Sequence, residues 1–131
     1  MSKELTLFLI KDEFWQRRDE AFQNHDHVVY VIFSDKPVHR ALGIDSKGIL
    51  YIGAARKVGR LVQLLATVRD NSKTHKFGIR YKSNPEFQNQ YPVESLQVRL
   101  IPTDNPFVLE RQKLSDYEKQ FGELPPFNRG L

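Results

Sequence analysis

The chain has 131 residues, of which 40% are hydrophobic and 27% charged, so it is long enough for one folded domain with a single core. The absence of cysteine excludes disulfide bonds and thiolate metal sites. A net charge of +4 is a mild indication of a polyanionic partner, although many small basic domains bind nothing acidic.

The sequence carries no sign of membrane insertion or export. No apolar run approaches the roughly 20 residues of a membrane-spanning helix. The first residues, MSKELTLFLIKDEFW, contain a short apolar patch that charges follow at once, and they lack a small-residue cleavage site. We therefore expect one domain over residues 1–131, no membrane partner and a cytoplasmic location.

A helix, a buried strand and a hairpin are predicted in the first part of the chain. Aromatic residues recur at helical spacing over about 11–24, which predicts a helix. Residues 28–33 are all apolar and mostly β-branched or aromatic, which favours a buried strand. The sequence DSKG then separates two short extended runs, about 39–44 and 49–53, and this order predicts a hairpin.

The second part is predicted to contain a helix, a loop, a strand and a final helix. The segment RKVGRLVQLLATVRD has its valines and leucines on one side, as an amphipathic helix does. Residues 71–95 are polar and contain two prolines, so we predict mostly loop. Residues 95–101 alternate as a strand does. The sequence TDNP then starts a helix that runs to about Phe121 and stops at Gly122.

These elements predict a small α/β (α+β) domain. A mostly antiparallel, three-stranded sheet is expected, flanked by helices. Residues 1–27 form an N-terminal helical extension in this prediction, and residues 28–131 form the core.

The last predicted helix carries an acidic residue on its apolar side. Phe107, Leu114, Tyr117 and Phe121 form an apolar stripe, and Glu110 fills its open position, because the steps are three, four, three and four residues. A carboxylate there is costly unless it meets a cation, hydrogen-bond donors or a metal ion. It could also be partly exposed near the first turn, where the helix dipole stabilises it, or pair with an arginine.

The strand sequences VVYVI and ILYIG resemble the two strands that name the GIY-YIG nuclease superfamily. The second motif is intact at residues 51–53, whereas the first keeps Tyr30 and has two valines in place of Gly-Ile. Members of the superfamily then carry an arginine on the next helix, often a histidine, a metal-binding glutamate on a later helix and a final asparagine. The residues that match them in order are Arg60, His75, Glu110 and Asn128.

The resemblance implies a metal-dependent endonuclease that hydrolyses phosphodiester bonds of DNA. One Mg²⁺ ion, or Mn²⁺ in its place, would be bound by Glu110. Tyr30 would be the general base, with Tyr51 facing the same cleft. Arg60 would clamp a phosphate, and His75 would contact the scissile phosphate or relay a proton.

The resemblance gives the remaining residues supporting roles. Asn128 would hydrogen-bond near Glu110 and orient it. Relatives carry a lysine directly after the second motif to activate the tyrosine, where this chain has Ala54. Contacts to phosphate are expected from a backbone approach at one glycine, from the cations after it and from the basic segment 71–82. These residues are Gly53, Arg56, Lys57, Lys73, Lys76 and Arg80.

A second hypothesis keeps the fold without the chemistry. Tyr51 could be a core residue, Arg60 a solvated helix residue and Asn128 a turn residue. The missing Gly-Ile and a Tyr51-to-Arg60 interval one residue shorter than usual favour a catalytically inactive module that binds nucleic acid or protein. In either case the chain is nearly all core, so specificity would come from loops, a homodimer or a partner protein.

Overall fold

The computed structural model describes residues 5–8, 27–56 and 76–128. Within these ranges the chain is a mixed α+β fold. The strands are β1 (Leu5–Phe8), β2 (Val28–Phe33), β3 (Val38–Arg40), β4 (Gly43–Asp45), β5 (Ile49–Ala55) and β6 (Gln97–Pro102). The helices are α1 (Lys76–Lys82), α2 (Pro85–Gln90) and α3 (Pro106–Phe121), with a 3₁₀ turn at Val93–Ser95. Among the described helices, none has the length and apolar character to cross a membrane.

The main sheet is antiparallel and has the order β1-β6-β2-β5 in the described part of the chain. The prediction of three strands was therefore one short, since residues 5–8 pair with β6 instead of belonging to a purely helical extension. A four-residue strand is too short to be read from periodicity, and its partner β6 lies about 90 residues away in the sequence. Strands β2, β5 and β6 lie at the extended runs predicted over 28–33, 49–53 and 95–101.

The predicted hairpin is wrong in its pairing. The run at 39–44 folds on itself, with β3 paired to β4, whereas β5 pairs with β2. Residues 45–48 form the turn that DSKG predicts, and Gly48 has a left-handed φ of 68° there. Strand β5 joins the main sheet because apolar side chains on both of its faces are buried there.

The sheet has a core on each face. We call the first the aromatic face, because tyrosine and phenylalanine rings from the sheet, from α1 and from the C-terminal segment pack there. Its rings are Tyr30, Tyr51, Phe77, Tyr81, Tyr91 and Phe127. We call the second the helix face, because α3 packs there through Leu114. The strand residues buried with Leu114 are Val29, Val31, Ile52 and Ile101.

The segment predicted as loop contains two short helices, so that prediction was wrong for 76–82 and 85–90. Phe77 and Tyr81 are four residues apart and both buried, which is helical spacing. Pro85 does not break a helix but starts one, with the Asn84 side chain accepting a hydrogen bond from the Phe87 N–H. Few apolar residues mark these helices, and proline is also a loop signal.

The final helix is confirmed at both ends. Asn105 caps α3 by accepting from the Val108 N–H, Pro106 occupies the first turn, and Gly122 ends the helix with a left-handed φ of 79°. Its buried stripe differs from the prediction, since Phe107 is 46% exposed and Phe121 is only half-buried. Pro106 is buried instead. The helices predicted over 11–24 and over most of RKVGRLVQLLATVRD lie outside the described residues.

Candidate functional site

The two motif tyrosines lie together on the aromatic face. The ring centroids of Tyr30 and Tyr51 are 6.1 Å apart. Their side chains are buried in the core, with Tyr30 1% and Tyr51 8% exposed. The Tyr51 ring also contacts Phe77 of α1, at 5.6 Å between centroids. The structure therefore brings the two phenols together, as part of the packed interior.

Gly53 makes room for one of these rings. It lies directly opposite Tyr30 in the β2–β5 pairing. A Cβ atom at Gly53 would be 2.4 Å from the Tyr30 Cζ and 2.5 Å from its hydroxyl oxygen, far inside contact distance. The sequence predicts an approach of backbone to phosphate at this glycine, whereas the structure has the Tyr30 ring against it. The contact between Gly53 and Tyr30 can be predicted only when the register of the two strands is known.

Asn128 is bound to the Tyr-Ile-Gly strand. Its Oδ1 accepts from the Ile52 N–H at 2.9 Å, and its Nδ2 donates to the Ile52 carbonyl at 2.9 Å. The preceding Phe127 N–H donates to the Leu50 carbonyl at 3.0 Å. The C-terminal segment thus covers the outer edge of β5, the last strand in the described order. The expected contact of Asn128 with Glu110 remains a prediction.

Glu110 is half-buried on the sheet-facing side of α3. It lies one turn after Pro106 and one turn before Leu114, both buried, so it occupies the apolar stripe as the sequence predicts. Helix α3 packs on the helix face, however, and Tyr30 and Tyr51 lie on the aromatic face. The structure does not bring the carboxylate and the phenols onto one face of the sheet.

The end of β5 meets the first turn of α3. Arg56, directly after β5, holds its guanidinium carbon 4.7 Å from the centroid of the Phe107 ring. This cation–π contact covers an aromatic ring that is otherwise partly exposed. Glu110 follows one turn after Phe107 along α3. A cation that the sequence assigns to phosphate binding thus contacts α3 one turn before the carboxylate assigned to the metal.

The other predicted cations have separate positions. Arg80 is half-buried in α1, and its Nη1 donates to the Phe127 carbonyl at 2.5 Å, so it holds the C-terminal segment in place. Lys76 begins α1. The predicted site residues that lie outside the described part of the chain are Lys57, Arg60, Lys73 and His75.

A buried carboxylate that the site prediction missed is Asp45, which is 1% exposed. It accepts from the N–H groups of Lys47 at 2.9 Å and Ile49 at 3.0 Å, and from the Tyr117 hydroxyl at 3.0 Å. Burial, then the hydrogen bond to Asp45, raises the pKa of Tyr117. The sequence DSKG could have predicted this role of Asp45, since an aspartate that begins a turn accepts hydrogen bonds from the N–H groups after it.

A cavity of about 300 Å³ lies beside Asp45 on the helix face, between the turn 45–48 and the C-terminal half of α3. We call it the Asp45 cavity. Apolar residues of β2 and β5 line it, and cationic and polar side chains surround them. The charged residues that line it are Asp45, Lys47, Arg99, Lys113 and Asp116.

In comparisons with protein-family models, with curated proteins and with solved structures, nothing matches this chain. The resemblance to the GIY-YIG superfamily therefore rests on the motif residues themselves. Within the described residues, no group of three or more histidine, aspartate or glutamate side chains is placed to hold a metal ion. A site built on the single carboxylate of Glu110 would need water and substrate to complete its shell.

Proposed function

We propose that the protein is a GIY-YIG-type, metal-dependent endonuclease that hydrolyses phosphodiester bonds of DNA. One observation carries the proposal: three parts of the motif, far apart in the sequence, meet at β5. The Tyr-Ile-Gly strand pairs with the strand that holds Tyr30, in the register that sets Tyr30 against Gly53. Asn128 then hydrogen-bonds to Ile52 in the middle of that motif.

A divalent ion fits Glu110 on chemical grounds. A half-buried carboxylate in an apolar stripe is stabilised by a cation, and Mg²⁺ commonly takes one carboxylate together with waters and a substrate phosphate. When bound, one Mg²⁺ or Mn²⁺ ion polarises the phosphate and stabilises the leaving oxygen. Glu110 supplies the anchoring oxygen at the first turns of α3.

The chain's own residues would supply the remaining chemistry. Tyr30 accepts a proton from the attacking water, and Tyr51 orders that water beside it. A phenol does this at neutral pH only when nearby positive charge favours its ionised form. Arg56 or Lys57 would provide that charge just after β5, since this chain has Ala54 where the relatives have a lysine. Arg60 and His75 bind the scissile phosphate in this mechanism.

One observation favours the inactive binding module as a second candidate. Tyr30 and Tyr51 are almost fully buried and pack with Phe77. An aromatic core of this kind accounts for both tyrosines without any chemistry. In that case the basic segment 71–82 binds nucleic acid, and no bond is cleaved.

A cleavage assay separates the two candidates. Supercoiled plasmid and short single- and double-stranded oligonucleotides are incubated with the chain in Mg²⁺ or in EDTA. The nuclease predicts cleavage in Mg²⁺ that EDTA and Glu110→Gln both abolish. Glu118→Gln is the matched control, because Glu118 is exposed on the same helix. Retardation of the same oligonucleotides without cleavage in any condition identifies the binding module, and cleavage by the Glu110→Gln variant rejects the metal site.

A further inference from the structure

The Asp45 cavity has the size of a small-molecule site. Its volume of about 300 Å³ lies at the lower end of the range for ligand pockets, which begins near 300 Å³. It is bounded by a tight turn, a sheet and a helix. The turn is fixed by hydrogen bonds from the Lys47 and Ile49 N–H groups to the Asp45 carboxylate, so the protein itself holds this wall of the cavity in place.

The floor of the cavity is apolar. Val31 and Ile52 are direct partners in the β2–β5 pairing and present adjacent side chains there, with Ile49 beside them. Ile44, which is 57% exposed, stands at the rim. A flat apolar floor with one exposed aliphatic wall suits the planar or apolar body of a ligand.

The rim of the cavity is cationic. Lys47, Lys113 and Arg99 line it, against the exposed carboxylate of Asp116. Asp45 also lines it, but its oxygens already accept three hydrogen bonds from the protein, one of them from Tyr117. Its role is to shape the turn, whereas the lysines are on the accessible rim. Ser46 and Gln120 add neutral hydrogen-bonding groups.

An apolar floor with lysines at the rim matches a ligand that has an apolar body and an anionic group. We infer that the Asp45 cavity binds a phosphorylated ligand of mononucleotide size, with the base on the Val31–Ile52 floor and the phosphate at Lys113 and Lys47. This site is on the opposite face of the sheet from Tyr30 and Tyr51. The inference stands whether or not the chain cleaves DNA.

The test is a titration of the methyl-labelled chain, followed by NMR, with thymidine 5′-monophosphate, thymidine and inorganic phosphate. The nucleotide is expected to shift the methyl signals of Val31, Ile49 and Ile52 saturably, with at least tenfold tighter binding than either fragment. Lys113→Ala should weaken binding about tenfold, the loss of one charge-assisted contact of ~1.4 kcal/mol. Lys113→Arg should restore it.

Lys119→Ala is the matched control, since Lys119 is exposed on the same helix and does not line the cavity. The inference would be overturned if the Lys113→Ala and Lys47→Ala variants bound the nucleotide as tightly as the unmodified chain. It would also be overturned if no saturable shift occurred up to about 10 mM nucleotide, because a dissociation constant of that size corresponds to a binding free energy of only ~3 kcal/mol. A 5′-phosphorylated oligothymidylate identifies the source: tighter binding than the mononucleotide, with the same lysine dependence, indicates a nucleic-acid strand.

The experiments distinguish a failure of the mononucleotide site from a failure of the nuclease proposal. Glu110→Gln should abolish cleavage and leave mononucleotide binding unchanged. Lys113→Ala should weaken mononucleotide binding even if no substrate is ever cleaved. Cleavage without saturable nucleotide shifts leaves the nuclease proposal standing and rejects this site.

Discussion

Asn128 is bound to Ile52 through both ends of its side-chain amide, each at 2.9 Å. A neighbouring strand would offer the edge of β5 the same donor and acceptor. The asparagine therefore replaces one residue of an additional strand and covers polar backbone groups that would otherwise remain open at the edge. Asn128 thus has a structural role in this chain.

Asn128→Ala should lower the free energy of unfolding by about 1–3 kcal/mol, because the Ile52 N–H and carbonyl both lose a partner. Urea denaturation followed by circular dichroism measures this change. Asn89→Ala is the control, since Asn89 is exposed, and its effect should stay within about 0.5 kcal/mol. Equal effects of the two substitutions would show that the amide contributes nothing to stability.

Gly53→Ala should destabilise the fold by about 1–3 kcal/mol, as overpacking of a core does. The new methyl group would lie 2.4 Å from the Tyr30 ring, which is buried in the core. A double-mutant cycle with Tyr30→Leu checks the cause. The smaller side chain should recover part of the loss, and strictly additive effects would place the strain elsewhere.

Alkaline pH should reduce stability through Tyr81. Burial, and then the charge of Glu94, raise its pKa to about 12 from an ordinary value of 10.0. Between these values the unfolded phenol is ionised while the folded one keeps its proton, so stability is complete below pH 10 and falls as pH rises toward 12. Urea midpoints at pH 8 and pH 11 should differ less in Tyr81→Phe than in the unmodified chain. Identical differences would contradict this linkage.

Tyr117→Phe should cost about 1–3 kcal/mol near neutral pH. The substitution removes the hydroxyl that donates to the buried Asp45 carboxylate, and a hydrogen bond to a charged group is worth more than a neutral one. The measurement is chemical denaturation at pH 7. Asp45→Asn in the same background should have a smaller effect than in the unmodified chain, and full additivity would mean that the two groups do not interact.

Under the proposed function, Arg56→Ala should slow cleavage about tenfold or more and move its optimum to higher pH. In the proposed mechanism its positive charge at the end of β5 favours the ionised form of the base, so removing the guanidinium should raise the pKa of that base. Arg56→Lys should retain most of the activity near neutral pH. A lower rate with an unchanged pH profile would mean that Arg56 acts through its contact with Phe107 alone.

The parts of the fold with strong local signals were predicted from the sequence. Strand β2 is a continuous apolar run, β6 alternates over its first four residues, and α3 carries both a cap and a stop. The pairing of β5 with β2 and the pairing of β1 with β6 were not predicted, because they depend on contacts between distant residues. Helices α1 and α2 were missed because only three aromatic residues, Phe77, Tyr81 and Phe87, mark their inner side.

Part of the candidate site could likewise be predicted from local sequence patterns, and part could not. The position of Glu110 in the stripe of α3 follows from helical periodicity alone, and the structure agrees with it. The face on which each group lies depends on how strands and helix are layered, which no local pattern encodes. That is why the carboxylate and the two tyrosines were expected in one cleft, and why the Asp45 cavity was not expected at all.

The cover that the C-terminal segment gives to β5 affects the order of events during synthesis. Ile52 and Asn128 are 76 residues apart. At about 5–20 residues per second, a ribosome needs roughly 4–15 s to add that length. During this interval the nascent chain carries an uncapped β edge, which other nascent chains or a chaperone can engage.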